Sequence, residues 1–171
     1  MSLKKILAVT SVSVLAGCYP SPKEIKTTVD FNKEVASIIN QKGKATVSGQ
    51  AFLKQSGGGV VTCAGSEVSL FPVTEYAKQR ITAIYGTEKG GYKKYNPYTV
   101  TKNSDNEDYN NYSRSATCDA EGDFSFTSLA DGEYYITTIV YWRVGDYNQG
   151  GFLSRRINVK NGKDLRVLLS Y

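Results

Sequence analysis

The chain carries three cysteines, Cys18, Cys63 and Cys118, and no histidine. Without imidazole there is no Ser-His-Asp or Cys-His nucleophile, and the commonest zinc ligand is missing. Cys63 and Cys118 lack the Cys-x-x-Cys spacing of a redox pair. Asp105, Glu107 and Asp108 lack the regular ligand spacing of a calcium loop. Asp119, Glu121 and Asp123 alternate along a turn, where backbone capping and solvation account for them. No catalytic residue, metal ligand or cofactor is expected. The remaining chemistry is that of tyrosine. There are 13 in 171 residues, and Tyr92, Tyr95, Tyr98, Tyr109 and Tyr112 fall within the polar stretch 87–114. Each offers a broad apolar face and a hydroxyl, suited to protein or glycan contact at low entropic cost. These five are the expected ligand-binding residues.

The N-terminus has the anatomy of a secretory signal over residues 1–17: Lys4-Lys5, an apolar run from Ile6 to Leu15, then small residues. The run is too short to span a bilayer comfortably. Its end, Leu15-Ala-Gly-Cys18, resembles the lipobox of bacterial lipoproteins. That resemblance implies a diacylated Cys18 at a new N-terminus, with several acyl chains giving stable anchoring. Tyr19, in place of aspartate, favours the outer membrane if the host is Gram-negative. Residues 18–29 then form a lipidated tether containing Tyr19-Pro-Ser-Pro22. In an exported chain the two cysteines left, Cys63 and Cys118, are expected to form a disulfide.

Residues 30–171 are expected to form one domain. Two of the 21 basic side chains lie in the leader, leaving 19 against 16 acidic ones. There is no Lys/Arg run of the kind that tracks phosphates, so nucleic acid is not an expected partner. Phe31, Val35, Ile38 and Ile39 share a helical face, which predicts a helix over 30–40 capped by Asp30 and stopped near Gly43; a short edge strand at 27–31 competes with it. Strands are predicted at 45–53, 60–63 and 67–71. A helix follows at Glu75–Tyr85, capped by Thr74 and stopped by Gly86. The insertion 75–114 is otherwise loop, with an extra strand possible at 98–101. Beyond it, 116–136 reads as strand, turn, strand, turn, strand, punctuated by Gly122 and Gly132. Trp142 and Arg143 end a long strand as core and rim. A hairpin loop at 146–151, a strand at 152–159, a turn at Lys160-Asn-Gly162 and a strand at 165–169 complete the domain. The total is about seven strands with one or two short helices, a mainly β, antiparallel sandwich with its core over 45–171.

Val47-Ser-Gly49, Val68-Ser-Leu70 and Asp119-Ala-Glu-Gly-Asp-Phe-Ser-Phe-Thr-Ser-Leu-Ala-Asp-Gly-Glu-Tyr134 occur in an order that resembles the carboxypeptidase regulatory-like, transthyretin-like β-sandwiches. Those domains are mostly non-catalytic accessory, structural or binding modules, so the resemblance implies a fold and no active-site residues. The expected protein is a membrane-anchored, non-enzymatic envelope lipoprotein. It would act first as a structural or assembly module binding another envelope protein, and alternatively as a glycan or cell-wall ligand-binding module using the tyrosine-rich stretch. A hydrolase is disfavoured because no nucleophile–base pair can be named.

Overall fold

The computed structural model describes Ile25, residues 27–96, Asn106 and residues 108–171. Cys18, Tyr98 and the expected strand at 98–101 lie outside the described residues. Among these there are nine strands: β1 (Lys42–Lys54), β2 (Val60–Thr62), β3 (Glu67–Pro72), β4 (Gly90–Lys94), β5 (Arg114–Thr117), β6 (Asp123–Leu129), β7 (Gly132–Val144), β8 (Tyr147–Val159) and β9 (Leu165–Leu169). Two helices accompany them, α1 (Lys33–Ala36) and α2 (Glu75–Tyr85).

The strands make a sandwich of two sheets. In one, β1 is central and pairs with β2, β6 and β9; the other runs β4-β8-β7-β3-β5. The expected mainly β, antiparallel sandwich is what the strands form: all pairings in the five-stranded sheet are antiparallel, and in the other sheet β9 alone runs parallel to β1. Alternation positions the core. Ala45, Val47, Ala51 and Leu53 of β1 face Val68, Leu70, Tyr134, Ile136 and Val140 of the opposite sheet. The motifs at 47–49 and 122–126 meet across the β1–β6 ladder, where Val47 pairs with Phe126 and Gly49 with Phe124. A Cβ on Gly49 would lie 2.6 Å from the Phe124 ring and 2.4 Å from the Val167 carbonyl, so glycine is required there. Tyr134, fully buried, donates its hydroxyl to the Ala130 carbonyl at 2.9 Å and fastens the turn that starts β7.

The N-terminal helix is shorter than expected. α1 has four residues and continues as a 3₁₀ turn over Ser37–Asn40. Asn32 caps it in place of Asp30, accepting the Val35 N–H at 2.9 Å. Val35 is 53% exposed, so the buried residues are Ala36 and Ile39. Gly43 is no helix stop, because β1 already begins at Lys42 and a Cβ at Gly43 would lie 1.9 Å from the Leu129 carbonyl. The stronger signals hold for α2: Thr74 Oγ1 accepts from the Ala77 N–H, and Gly86 ends the helix at φ 80°. Two further corrections fall on the loops. The insertion contains β4, and the 146–151 loop is the start of β8, reached through a two-residue turn. Gly145, at φ 57°, supplies the positive φ that turn needs.

Cys63 follows β2 in one sheet and Cys118 follows β5 in the other, and the two form a disulfide with Cα atoms 5.8 Å apart. It therefore staples the two sheets along one flank and encloses the chain that builds β3, α2, β4 and β5. The chain-entropy model gives roughly 4 kcal/mol for a loop of this size. Replacing both cysteines by serine should lower unfolding free energy by up to about that amount. Urea unfolding of the variant beside the parent checks this, and an unchanged midpoint would contradict it.

Candidate functional site

The five-stranded sheet has two faces, and each has its own partner. Its inner face closes the main core. Over part of its outer face α2, the segment before α1 and a 3₁₀ turn at Tyr109–Tyr112 assemble an aromatic cluster. Phe71 of β3 stacks on Tyr109 with ring centroids 4.9 Å apart. Phe31 meets Tyr76, Tyr109 and Tyr112 edge-on at 5.7, 5.8 and 5.5 Å. Arg80, 8% exposed, lays its guanidinium 4.8 Å from the Tyr109 ring centroid. Such a desolvated cation–π contact is worth on the order of 2 kcal/mol. Tyr135 of β7 donates its hydroxyl to the Glu88 carbonyl at 2.7 Å, and the Tyr76 hydroxyl accepts the Asn106 N–H at 2.9 Å.

Of the five tyrosines expected to bind ligand, the four described ones, Tyr92, Tyr95, Tyr109 and Tyr112, are therefore not one surface. Tyr109 is 5% exposed, a core residue of the aromatic cluster, because its ring is the piece that fills the space between β3 and α2. Tyr112 is half-buried against the main core. Tyr92 and Tyr95 lie at the β4 edge of the sheet, Tyr92 packed on the main core and Tyr95, just past β4, at an outer-face register position. Tyr92 donates its hydroxyl to the Gly150 carbonyl at 3.0 Å and stacks on Tyr171 at 4.7 Å. Tyr95 extends the β4–β8 ladder by donating its N–H to the same carbonyl at 2.8 Å, and remains half-exposed. Of the carboxylates weighed above, Asp105 and Glu107 lie outside the described residues; Asp119 Oδ1 accepts the Asp123 N–H at 2.8 Å, and Asp108 pairs with Lys33 at 2.7 Å.

Beyond the aromatic cluster no element among the described residues covers the outer face of the sheet. There Phe152 pairs with Ile139 of β7 on one side and Lys93 of β4 on the other, and Tyr141 pairs with Gly150. Side chains paired across a ladder share a face. Tyr95, at the register position beside Gly150, completes the row across β4, β8 and β7. Tyr141 is 55% and Phe152 41% exposed. With strands about 4.8 Å apart, Tyr95 and Tyr141 stand about 10 Å apart across the glycine. Gly150 between them is itself buried, and at its φ of 97° a Cβ would lie 2.2 Å from the Val140 carbonyl, so glycine is required there. On its other side the protruding hairpin adds the exposed Val144 and Tyr147. Trp142 packs on the main core and Arg143 is exposed, as core and rim.

Sequence reasoning missed Tyr141 and Phe152. The signal was available in β7: a strand with one wet face carries polar outward residues, yet here Tyr135, Ile139 and Tyr141 alternate with the equally apolar Tyr134, Ile136 and Val140.

A second concavity lies at the open flank of the sandwich. It holds about 220 Å³ and is lined by Lys89, Gly90 and Gly91, by Leu153, Ser154 and Arg155 of β8, and by Leu168 to Tyr171 after and within β9.

A crystal structure of a candidate carbohydrate-binding protein from Pseudomonas aeruginosa is similar to this chain. The TM-score is 0.70 and the sequence identity 25%, over 84% of this chain and 99% of that one. No family model matches the chain, and no curated protein matches it.

Burial pushes the Tyr109 hydroxyl up to about 12, and burial also raises that of Tyr85. An ordinary tyrosine titrates near 10, so the folded state holds this proton more tightly than the unfolded one. That contribution to stability is fully present below about pH 10 and is lost as pH rises through about 12. Denaturant midpoints should be level on the approach to about pH 10 and fall above it, and Tyr109→Phe should flatten part of the fall. A profile identical for parent and variant would contradict the buried placement of this hydroxyl.

Proposed function

We propose that the protein is a non-enzymatic, lipid-anchored module of the cell envelope that binds glycan on the exposed part of the outer face of its five-stranded sheet. The observation that carries this reading is the exposure of Tyr141 and Phe152 on one flat sheet face, beside Tyr95, Ile139 and Lys93. A pyranose ring has an apolar C–H face, which an aromatic ring attracts through its negative π surface while the sugar hydroxyls stay solvated or reach neighbouring donors. A rigid sheet presents such rings without a cost in ordering a loop. The similar protein from Pseudomonas aeruginosa, itself a candidate carbohydrate-binding protein, favours sugar over an envelope protein as the occupant. An assembly partner remains the competing reading, since a contiguous exposed apolar strip also suits protein contact.

Anchoring rests on Leu15-Ala-Gly-Cys18, and the transthyretin-like kinship on the motifs at 47–49, 68–70 and 119–134. Cys18→Ser should release the protein from the salt-washed membrane fraction; retention there would exclude a lipid anchor. For the site, co-sedimentation with cellulose, chitin and purified peptidoglycan should show retention by at least one of them. Tyr141→Ala and Phe152→Ala should each weaken that retention several-fold, at about 1–2 kcal/mol per aromatic face, with little change in melting temperature. No retention by any of the three, or retention indifferent to both substitutions, would exclude this face as a glycan site.

A further inference from the structure

The cleft at the open flank of the sandwich is separate from the aromatic face, and two cations, Lys89 and Arg155, line it together. Arg155 lies on β8 opposite Ile136 and Gly90. Its Nη1 donates to the Leu168 carbonyl at 3.0 Å, so the guanidinium spans from one sheet to the edge of the other. That bond uses one of five N–H donors. Other arginines have acidic partners: Arg156 meets Glu133 at 2.9 Å and Glu88 at 3.5 Å, Arg143 meets Asp146 at 3.3 Å, and Arg166 meets Asp123 at 3.5 Å. Among the described residues Arg155 has no carboxylate partner, and neither does Lys89, which lines the same cleft.

Fixed and charge-unpaired, a guanidinium of this kind is prepared to take a carboxylate on its remaining donors. The other walls suit a ring. Tyr171, 81% exposed, is held in place by its stack on Tyr92, and Leu168 is 48% exposed at the same mouth. Gly90 and Gly91 contribute backbone without side chains, and Ser170 adds a hydroxyl. At about 220 Å³ the cleft is smaller than the roughly 300–1,000 Å³ of drug-sized sites, which limits the occupant to about one ring.

We infer that this cleft binds a single acidic sugar of the hexuronate class, its carboxylate on Arg155 and Lys89 and its ring against Tyr171 and Leu168. The site is independent of the glycan face proposed above. Calorimetric titration of the full chain with glucuronate at constant ionic strength should give saturable binding, with glucose at least about tenfold weaker. That is the difference expected for one charge-assisted hydrogen-bond pair. Arg155→Gln should weaken glucuronate by about the same factor. Lys89→Gln, at a position exposed enough to leave folding intact, should weaken it less but measurably. Lys54→Gln, which removes an exposed cation outside both sites, should leave it unchanged. Equal affinity for glucose and glucuronate overturns the inference. So does glucuronate binding that neither Arg155→Gln nor Lys89→Gln alters, or acetate binding as tight as glucuronate.

Discussion

β7 is apolar on both faces, and a strand of that kind needs cover on both sides. Its inner residues, Tyr134, Ile136 and Val140, are met by the four-stranded sheet. Its outer residues begin with Tyr135, which α2 and the Tyr109 turn bury completely. Further along, at Ile139 and Tyr141, the cover ends while the apolar pattern does not. Burying a large apolar side chain is worth about 1.5–3 kcal/mol, so leaving two aromatic rings in water forgoes stability the strand pattern had available. Surfaces of that sort on a folded chain are where partners sit. The rest of the architecture serves this division, covering one part of the face and presenting the other.

Several local devices keep the division rigid. The 13-residue ladder between β7 and β8 runs from Gly132–Val159 to Val144–Tyr147 through a two-residue turn, so the exposed rings ride on a ribbon rather than a loop. Asp131 accepts the N–H groups of Asn161 and Gly162 at 2.6 and 2.8 Å, tying the start of β7 to the turn that follows β8. The disulfide fixes the opposite flank of the sandwich, and Arg155 reaches across the flank that stays open. A cleft survives at that open flank, lined by β4 and β8 of one sheet and β9 of the other with no ladder joining the two sheets there.

Much of the fold was legible in residue patterns. Thr74 and Gly86 mark α2 because capping is local chemistry, decided within one turn of the chain. The strands at 45–53 and around Phe124 and Phe126 follow from alternation, while their pairing with each other is a tertiary fact the pattern did not carry. The short N-terminal helix was misjudged because Asn32, two residues after Asp30, supplies the cap, and because Gly43 is held in β1 against the Leu129 carbonyl, a tertiary contact. The tyrosines misled for a related reason. Composition alone does not say whether a ring in a polar stretch covers a neighbouring sheet or faces solvent. Tyr109 covers Phe71, whereas Tyr141, inside an ordinary-looking strand, is exposed, with no described element crossing above it. β4 escaped notice because Gly90-Gly-Tyr-Lys-Lys94 has little strand propensity and is held by its partner β8.

Side-chain footprinting by hydroxyl radicals, with the full chain free and saturated with whichever glycan retains it, tests the central claim most directly. Glycan stacked on the exposed sheet face would protect Tyr141 and Phe152, while the already buried Tyr109 would be unreactive in both states. Protection confined to other aromatic residues, with Tyr141 and Phe152 as reactive as in the free protein, would contradict the account.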